Sequence, residues 1–566
     1  MKLSEIRCRE DLACLLKIKT SSLTYVLYRA KVNSFYKTFD IPKKNGGVRQ
    51  INAPTDILKI IQERLASAIY SYMKNLRTEK NINVNIAHAF EKKKSIITNA
   101  QIHKNKYIVL TFDLEHFFDS FHFGRVAGFF EKNRDFHLPH NMAIILAQLT
   151  CYNGHLPQGA PTSPIITNLI FQICDMRILK LAKKYKLDYT RYADDLTFST
   201  NNHSFIDEKE SFQRELEREI GKAGFSINQT KTRMSLRNSR QEVTGLVVNK
   251  KINVNAGFYR KTRAMAHQLY QNGSFTIDGK EGSIQQLEGR FAFIDQLDHY
   301  NNKIDGKIHS FRDRNGREKQ YSKFLFYKFF YANEKPLIVT EGKTDIRYLK
   351  AALKSLYLDY PELISRNKNG SYTFKVQFLH RTKRLSYFLD IAVDGAKPLY
   401  NIYKYFIKGR DSAYPNYYKF FSKDGEKKPR NPVVILLDNE MKPNKPLKGF
   451  LDQIKSTESE KNDLQQKLSL RLLASGNLYL LTNPLVDNKD ECEIELLFTE
   501  ETRGIKLEGK SLCLEEESFE KSNSYGKNIF SNYILQHYNE IDFSRFIPLL
   551  NALSSIIKNY SAEMRN

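Results

Sequence analysis

Three carboxylates on two strand-like stretches carry the most legible chemistry in this sequence. Tyr192-Ala193-Asp194-Asp195 lies between short β-type runs, with Tyr189, Thr190 and Arg191 before it and Leu196, Thr197 and Phe198 after it. The acid pair is therefore expected at a hairpin tip. Ile108-Val109-Leu110-Thr111-Phe112-Asp113 is an apolar strand ending in a third acid, 81 residues before Asp194 (194 − 113). Desolvated like charges raise one another's pKa, so such a set is costly unless a cation meets it. Two divalent ions roughly 3.5–4 Å apart would activate an attacking hydroxyl and steady a leaving pyrophosphate.

A second acidic set lies in the other half of the chain. Pro336-Leu337-Ile338-Val339-Thr340-Glu341-Gly342-Lys343-Thr344-Asp345 reads as a buried strand, a glycine turn and a helix start. Val433-Val434-Ile435-Leu436-Leu437-Asp438-Asn439-Glu440 repeats the design. Both deliver acids to the carboxyl edge of a parallel-type strand, where open α/β sheets bind ligands.

Four strings resemble, in order, motifs A to D of reverse transcriptases: Phe112-Asp113-Leu114-Glu115-His116-Phe117-Phe118-Asp119, Leu156 to Pro164, Tyr192-Ala193-Asp194-Asp195, and Asn228-Gln229-Thr230-Lys231-Thr232. Asn99-Ala100-Gln101-Ile102-His103 and Val243-Thr244-Gly245 resemble the NAxxH and VTG strings of retron reverse transcriptases. The resemblance implies a polymerase holding two Mg²⁺ ions on Asp113, Leu114, Asp194 and Asp195, with deoxynucleoside triphosphates as substrates. It implies triphosphate contacts from Arg49 and from Lys43 or Lys44, with Gln158 and Gly159 in a substrate-positioning loop. Phe118 would be the ring that excludes a 2′-hydroxyl, against a plain core role. Lys231 would protonate pyrophosphate, against a solvated surface lysine. Asn99 and His103 would lie on an RNA-contacting or fold-stabilising face, with Val243, Thr244, Gly245, Arg260 and Arg263 as further RNA contacts.

The second acidic set resembles a Toprim domain, whose Glu and DxD would hold one or two Mg²⁺ ions; Glu341, Asp438 and Glu440 match, with Glu in place of Asp at 440. Glu493-Ile494-Glu495-Leu496 and Tyr525-Gly526-Lys527 resemble OLD-type nucleases, in which Lys527 would steady a phosphate. The implied fold is an α+β right-hand polymerase (fingers, palm, thumb) followed by an α/β Toprim domain with a parallel sheet. Expected boundaries are 1–110 for N-terminal helices and fingers, 111–250 for palm, 251–332 for thumb and linker, and 333–566 for the Toprim effector with a C-terminal helical segment. The implied activity is copying a structured noncoding RNA into branched, RNA-linked DNA (msDNA) for anti-phage defence. Expected partners are that RNA, its msDNA and a nucleic-acid substrate of the Toprim domain, and a homo-oligomer is left open. The competing reading makes the C-terminal half a non-catalytic nucleic-acid-binding or assembly module. A group II intron-type maturase is disfavoured by the VTG string.

Composition agrees with a polyanion partner. Of 566 residues, 89 are basic and 63 acidic, a net charge of +26 that favours nucleic acid through counterion release. No apolar run approaches the ~20 residues of a spanning helix, and Met1-Lys2-Leu3-Ser4-Glu5-Ile6 lacks a signal-peptide core. The expected location is cytoplasmic, without membrane contact. Six cysteines without CxxC spacing argue against zinc and against a disulfide framework.

The positioning elements follow from periodicity. Residues 1–30 read as helix, and Phe39 to Ile51 as a hairpin turning at Asn45-Gly46. Thr55 to Tyr72 and Glu208 to Gly221 read as helices, the latter returning as a strand at Phe225 to Asn228. The charged run 455–467 reads as an exposed insert or flexible loop.

Overall fold

The structure, a computed structural model, describes residues 2–43, 46–81, 86–306, 310–407, 409, 411–423, 426–514, 519–520 and 522–565. Its compact units are Met1–Tyr259 and Arg260–Asn566. Among the described residues no helix is long and apolar enough to cross a membrane.

The first unit is built on antiparallel strands. Strands β1 (Tyr36–Pro42) and β2 (Val48–Pro54) form the expected basic hairpin, with Phe39 opposite Ile51. Gly46 and Gly47 turn it at φ +88° and +78°, a region glycine enters freely; Lys44 and Asn45 lie outside the described residues. The central sheet has the order β4 (Asp188–Tyr192), β5 (Asp195–Thr200), β3 (Ile108–Leu114), β6 (Ile227–Leu236), all antiparallel. Helices Asp56–Glu79, Ser163–Lys184 and Phe205–Lys222 pack with it around one core that includes Leu65, Phe112, Phe171, Phe198 and Phe212.

The single helix expected over 1–30 is broken. Helix Arg9–Leu15 stops at Lys17, which enters the left-handed region at φ +53° while Ile18 N–H donates to the Ala13 carbonyl at 3.0 Å. A second helix starts at Thr20, and Leu12, Leu16, Leu23 and Val26 are still buried together. The apolar period survives the break because the two pieces face the same core.

Behind the β4–β5 hairpin lies a buried polar layer. His103 Nδ1 meets Ser199 Oγ at 2.8 Å and its Nε2 meets Thr190 Oγ1 at 2.7 Å. Thr190 donates its own proton to Asn99 Oδ1, so Nε2–H donates to Thr190 and Nδ1 accepts from Ser199. Asn99 and His103 are each 0% exposed. Of the two roles expected for these side chains, RNA contact is corrected and the fold-stabilising alternative agrees with their burial, since neither can reach a ligand without unpacking helix Ile96–Ile102. Burial, then the nearby His88 and Lys106, push the imidazole pKa down to about 3.

The second unit holds a five-stranded sheet. Its strands are β7 (Leu337–Val339), β8 (Gln377–Phe378), β9 (Val433–Leu437), β10 (Ser469–Arg471) and β11 (Leu478–Thr482), in the order β8-β7-β9-β11-β10. All neighbours are parallel except β10 with β11. Alternate residues feed opposite faces: Leu337, Val433, Ile435 and Leu480 enter one core, and Ile338, Val434, Leu436 and Leu481 the other. Double-sided burial explains the uninterrupted apolar runs in the sequence. The first core also takes Leu269, Phe291, Tyr321, Phe326 and Phe330, so the segment read as thumb and linker packs on this sheet. Residues 455–467 are not a flexible loop throughout: Thr457 and Glu460 form a capping box that opens helix Glu458–Lys467, and Leu464 is buried.

His103 yields a pH prediction. Its folded pKa lies below that of the unfolded chain, so stability falls as pH drops below ~6.5, where only the unfolded state takes up the proton. From pH 6.5 to pH 5 this costs roughly 2 kcal/mol. His103→Gln should therefore lose that much less stability than the parent between pH 7 and pH 5 in urea unfolding. Equal losses would show that the imidazole is not held neutral.

Candidate active site and its electrostatics

The register of the central sheet assembles the first acid set. Asp113 at the end of β3 pairs with Asp195 on β5 and with Asn228 on β6. Ala193 takes φ +56° at the hairpin tip, and Leu114 N–H donates to the Asp194 carbonyl at 3.0 Å. These contacts place Asp113, Leu114, Asp194 and Asp195 at one end of the sheet.

Arg191 holds the hairpin from behind. Its side chain is 0% exposed, and its Nη2 lies 2.8 Å from Asp175 Oδ2 on helix Ser163–Lys184. The same guanidinium donates to Asn168 Oδ1 at 3.2 Å and to the Ala193 carbonyl at 3.1 Å, and covers the Phe171 ring at 4.6 Å. Sequence reasoning used Arg191 only as a strand residue. The available signal was an arginine in the strand leading into the acid pair, which must be paired if buried.

The carboxylates perturb one another. Burial first, then Asp194 and Asp113, push Asp195 up to about 7. Burial and Asp113 also raise Asp194, while Lys231 and Arg49 pull it back. Lys231 on β6 donates to Asp113 Oδ2 at 2.8 Å, and that bond holds the ammonium pKa above its ordinary value. An all-oxygen, anionic donor set fits a hard divalent ion. Among the described residues no three His, Cys, Asp or Glu side chains form a ready metal cage. Mg²⁺ commonly takes one or two carboxylates and completes its shell from substrate phosphates.

The remaining expected residues are distributed as follows. Arg49 and Lys43 are exposed on the hairpin, and Lys44 is outside the described residues. Phe118 is partly exposed and rests against the core, with its ring 5.6 Å from Phe117. The loop at Gln158 and Gly159 docks on β2: Asn52 N–H donates to the Gln158 carbonyl at 2.8 Å. Gly159 has φ +116°, and a Cβ there would lie 2.7 Å from Ile51 Cγ2 and 3.0 Å from the Asn52 carbonyl oxygen. The close approach that needs glycine is to strand β2. Val243 is buried, while Thr244 and Gly245 turn a short hairpin at φ +48° and +78°. Arg260 and Arg263 are exposed on helix Ala256–Asn272.

In the second unit, the parallel pairing of β7 with β9 brings Glu341 beside Asp438. Asp438 N–H donates to Glu341 Oε1 at 3.0 Å. Asn483 Nδ2 and Ile494 N–H both bond Asp438 Oδ1, at 2.7 and 2.9 Å. Burial, then Glu341, Asp345, Glu495 and Glu493, hold Asp438 well above the usual carboxylate range. Burial also pushes Glu341 up to about 7, aided by Asp345 and Glu440. Glu440 bonds to Lys445 Nζ. Lys527 donates to Glu493 at 2.9 Å and to Glu495 at 3.1 Å. Burial favours its neutral form, yet these two carboxylates keep its pKa raised. Asp345, Glu493 and Asn483 were missed as members of this cluster, because they reach it from loops and a helix start.

Comparison with known proteins agrees with the first unit. The profile of the reverse transcriptase (RNA-dependent DNA polymerase) family matches residues 41–258. Retron Mx65 reverse transcriptase of Myxococcus xanthus is 31% identical over 308 residues, covering 51% of this chain and 68% of that protein. Retron Mx162 reverse transcriptase of the same organism is 33% identical, covering 52% and 65%. Retron Ec86 reverse transcriptase of Escherichia coli is 31% identical over 293 residues, covering 51% of this chain and 84% of that protein.

Gly159 supplies the prediction from this geometry. Gly159→Ala should destabilise the protein by roughly 1–3 kcal/mol through backbone strain and contact with β2, and should slow primer extension. A variant with the parent's urea midpoint and extension rate would contradict the close approach.

Proposed function

The chain belongs to the retron reverse transcriptases, and from that premise we propose that it copies a structured noncoding RNA into msDNA, a single-stranded DNA that stays joined to the RNA through a guanosine 2′-oxygen. The observation that carries this reading is the register that sets Asp113 against Asp195 beside Asp194, with Lys231 and Arg49 acting on the cluster. Two Mg²⁺ ions bound there would supply Lewis-acid activation of the primer hydroxyl and charge relief at the leaving pyrophosphate. Asp113, Asp194 and Asp195 would hold the ions. Arg49 and Lys43 meet the triphosphate of the incoming deoxynucleotide. Lys231 carries a proton within reach of the cluster and delivers it to pyrophosphate. Phe118 crowds the sugar from its partly exposed position. The cytoplasm, where its RNA is made, is the proposed location.

For the second unit the proposed role is a Toprim-like, Mg²⁺-dependent nuclease serving anti-phage defence. Support comes from Glu341 and Asp438 abutting at the ends of adjacent parallel strands, with Glu495 and Lys527 acting on the same buried cluster. A second reading, a nucleic-acid-binding or assembly module, is favoured by Glu440, which stands where the Toprim motif has Asp and bonds Lys445.

Paired variants of the full chain test both assignments. Asp194→Asn should abolish DNA synthesis and leave RNA affinity nearly unchanged, since affinity comes from dispersed cations. Glu341→Ala should leave synthesis near normal and remove Mg²⁺-dependent cleavage of nucleic acid. Copied DNA at parental level from Asp194→Asn would overturn the first assignment. Undiminished cleavage by Glu341→Ala, or no cleavage by the parent, would move the second unit to the binding-module reading.

A further inference from the structure

A cavity of about 560 Å³ in the second unit belongs to neither acidic cluster. It is lined by Arg312 and Arg314, which precede helix Gly316–Phe326, by Lys319, Gln320 and Lys323 on that helix, and by seven residues between Asp411 and Phe420. Four cations face it, Arg312, Arg314, Lys319 and Lys323, against one carboxylate, Asp411. Asp411 is already taken by Arg312, whose Nη2 lies 3.0 Å from Oδ2 and whose Nη1 lies 3.3 Å from Oδ1.

The other three cations are not neutralised. Arg314 is 5% exposed, yet its acceptors are all neutral: the carbonyls of Phe311, Phe388 and Ala413 and the Ser322 hydroxyl. Its guanidinium also lies 3.9 Å from the Phe311 ring centroid. A buried charge without a counter-charge is unusual, because desolvation penalises it. Lys323 is half-buried with Nζ 3.3 Å from the Phe420 ring centroid, and no carboxylate pairs with it or with Lys319 among the described residues. Phe420 is 47% exposed, a large ring left at the rim. The side chains of Gln320, Ser412 and Asn416 line the same space.

An unmet positive field, flexible ammonium groups and an exposed aromatic ring together suit a phosphate attached to a flat base. The volume lies in the range of small-molecule sites. We propose that this cavity binds a nucleoside phosphate. Lys319 and Lys323 hold the phosphate in the field of Arg314, and the base lies against Phe420. The same chemistry is presented by a free nucleotide and by the phosphorylated 5′ end of a nucleic-acid strand.

The test is calorimetric titration of the full chain in EDTA, which removes metal-dependent binding elsewhere. The probes are AMP, inorganic phosphate, and a short oligodeoxynucleotide with a 5′-phosphate or a 5′-hydroxyl. Saturable binding of AMP, or of the 5′-phosphorylated strand in preference to the 5′-hydroxyl strand, is expected; which of the two binds identifies the source. Lys319→Ala/Lys323→Ala should weaken that binding at least about tenfold, and Phe420→Leu should weaken AMP binding while leaving inorganic phosphate unaffected. Asp194→Asn should leave both unchanged. AMP affinity unaltered in the double variant, phosphate binding as tight as AMP, or no saturable binding of any probe would overturn the proposal.

Discussion

Crowding of carboxylates at one end of the β3–β5 seam is the constraint on which the first unit depends. The register that pairs Asp113 with Asp195 also sets Asp194 at the adjoining tip. Burial first, then repulsion from Asp194 and Asp113, drives Asp195 up to about 7. An ionised Asp195 at neutral pH then works against folding by roughly 4 kcal/mol, since the unfolded chain would ionise it near pH 4. Such strain persists only where the surroundings over-determine the geometry. Here the surroundings are the Arg191–Asp175 pair, the Leu114 N–H bond to Asp194 and the Asn99–Thr190–His103–Ser199 layer. Breaking a buried pair of that kind costs about 3–5 kcal/mol, the same order as the penalty at Asp195.

The second unit meets the same problem with another architecture. Parallel strands β7 and β9 end side by side, so their terminal acids cannot avoid each other. Neutral donors from Asn483 and Ile494 hold Asp438 in place, while Lys527 answers Glu493 and Glu495. Each unit thus carries an acidic cluster stabilised from behind. The cavity between residues 312 and 420 has the opposite sign, with buried Arg314 answered only by neutral oxygens.

Legibility in the sequence followed the range of each interaction. Asp113, Glu341 and Asp438 were readable because each ends a short apolar strand, and Asp194 because it lies at a turn between two strand-like runs, patterns that are local. Helix Glu458–Lys467 was readable too, through Thr457 and Glu460, but its charge pointed to a loop. The break at Lys17 left no trace, because both helical pieces keep the same apolar face. For Asn99 and His103 the resemblance left an RNA-contacting and a fold-stabilising face open, and their burial depends on Thr190 and Ser199, 91 and 96 residues away. Arg191–Asp175 and the Arg314 cavity also rest on tertiary neighbours that no local pattern announces.

The strain at the carboxylate cluster can be measured directly by scanning calorimetry of the full chain at pH 7.5, with EDTA and then with Mg²⁺, for the parent and Asp195→Asn. Neutralising Asp195 removes the repulsion without changing side-chain size, so in EDTA the first unit of the variant should unfold at a higher temperature than the parent. Mg²⁺ should raise the parent's transition and leave the variant's nearly unmoved. A variant less stable than the parent in EDTA, or an equal Mg²⁺ response in both, would contradict the account.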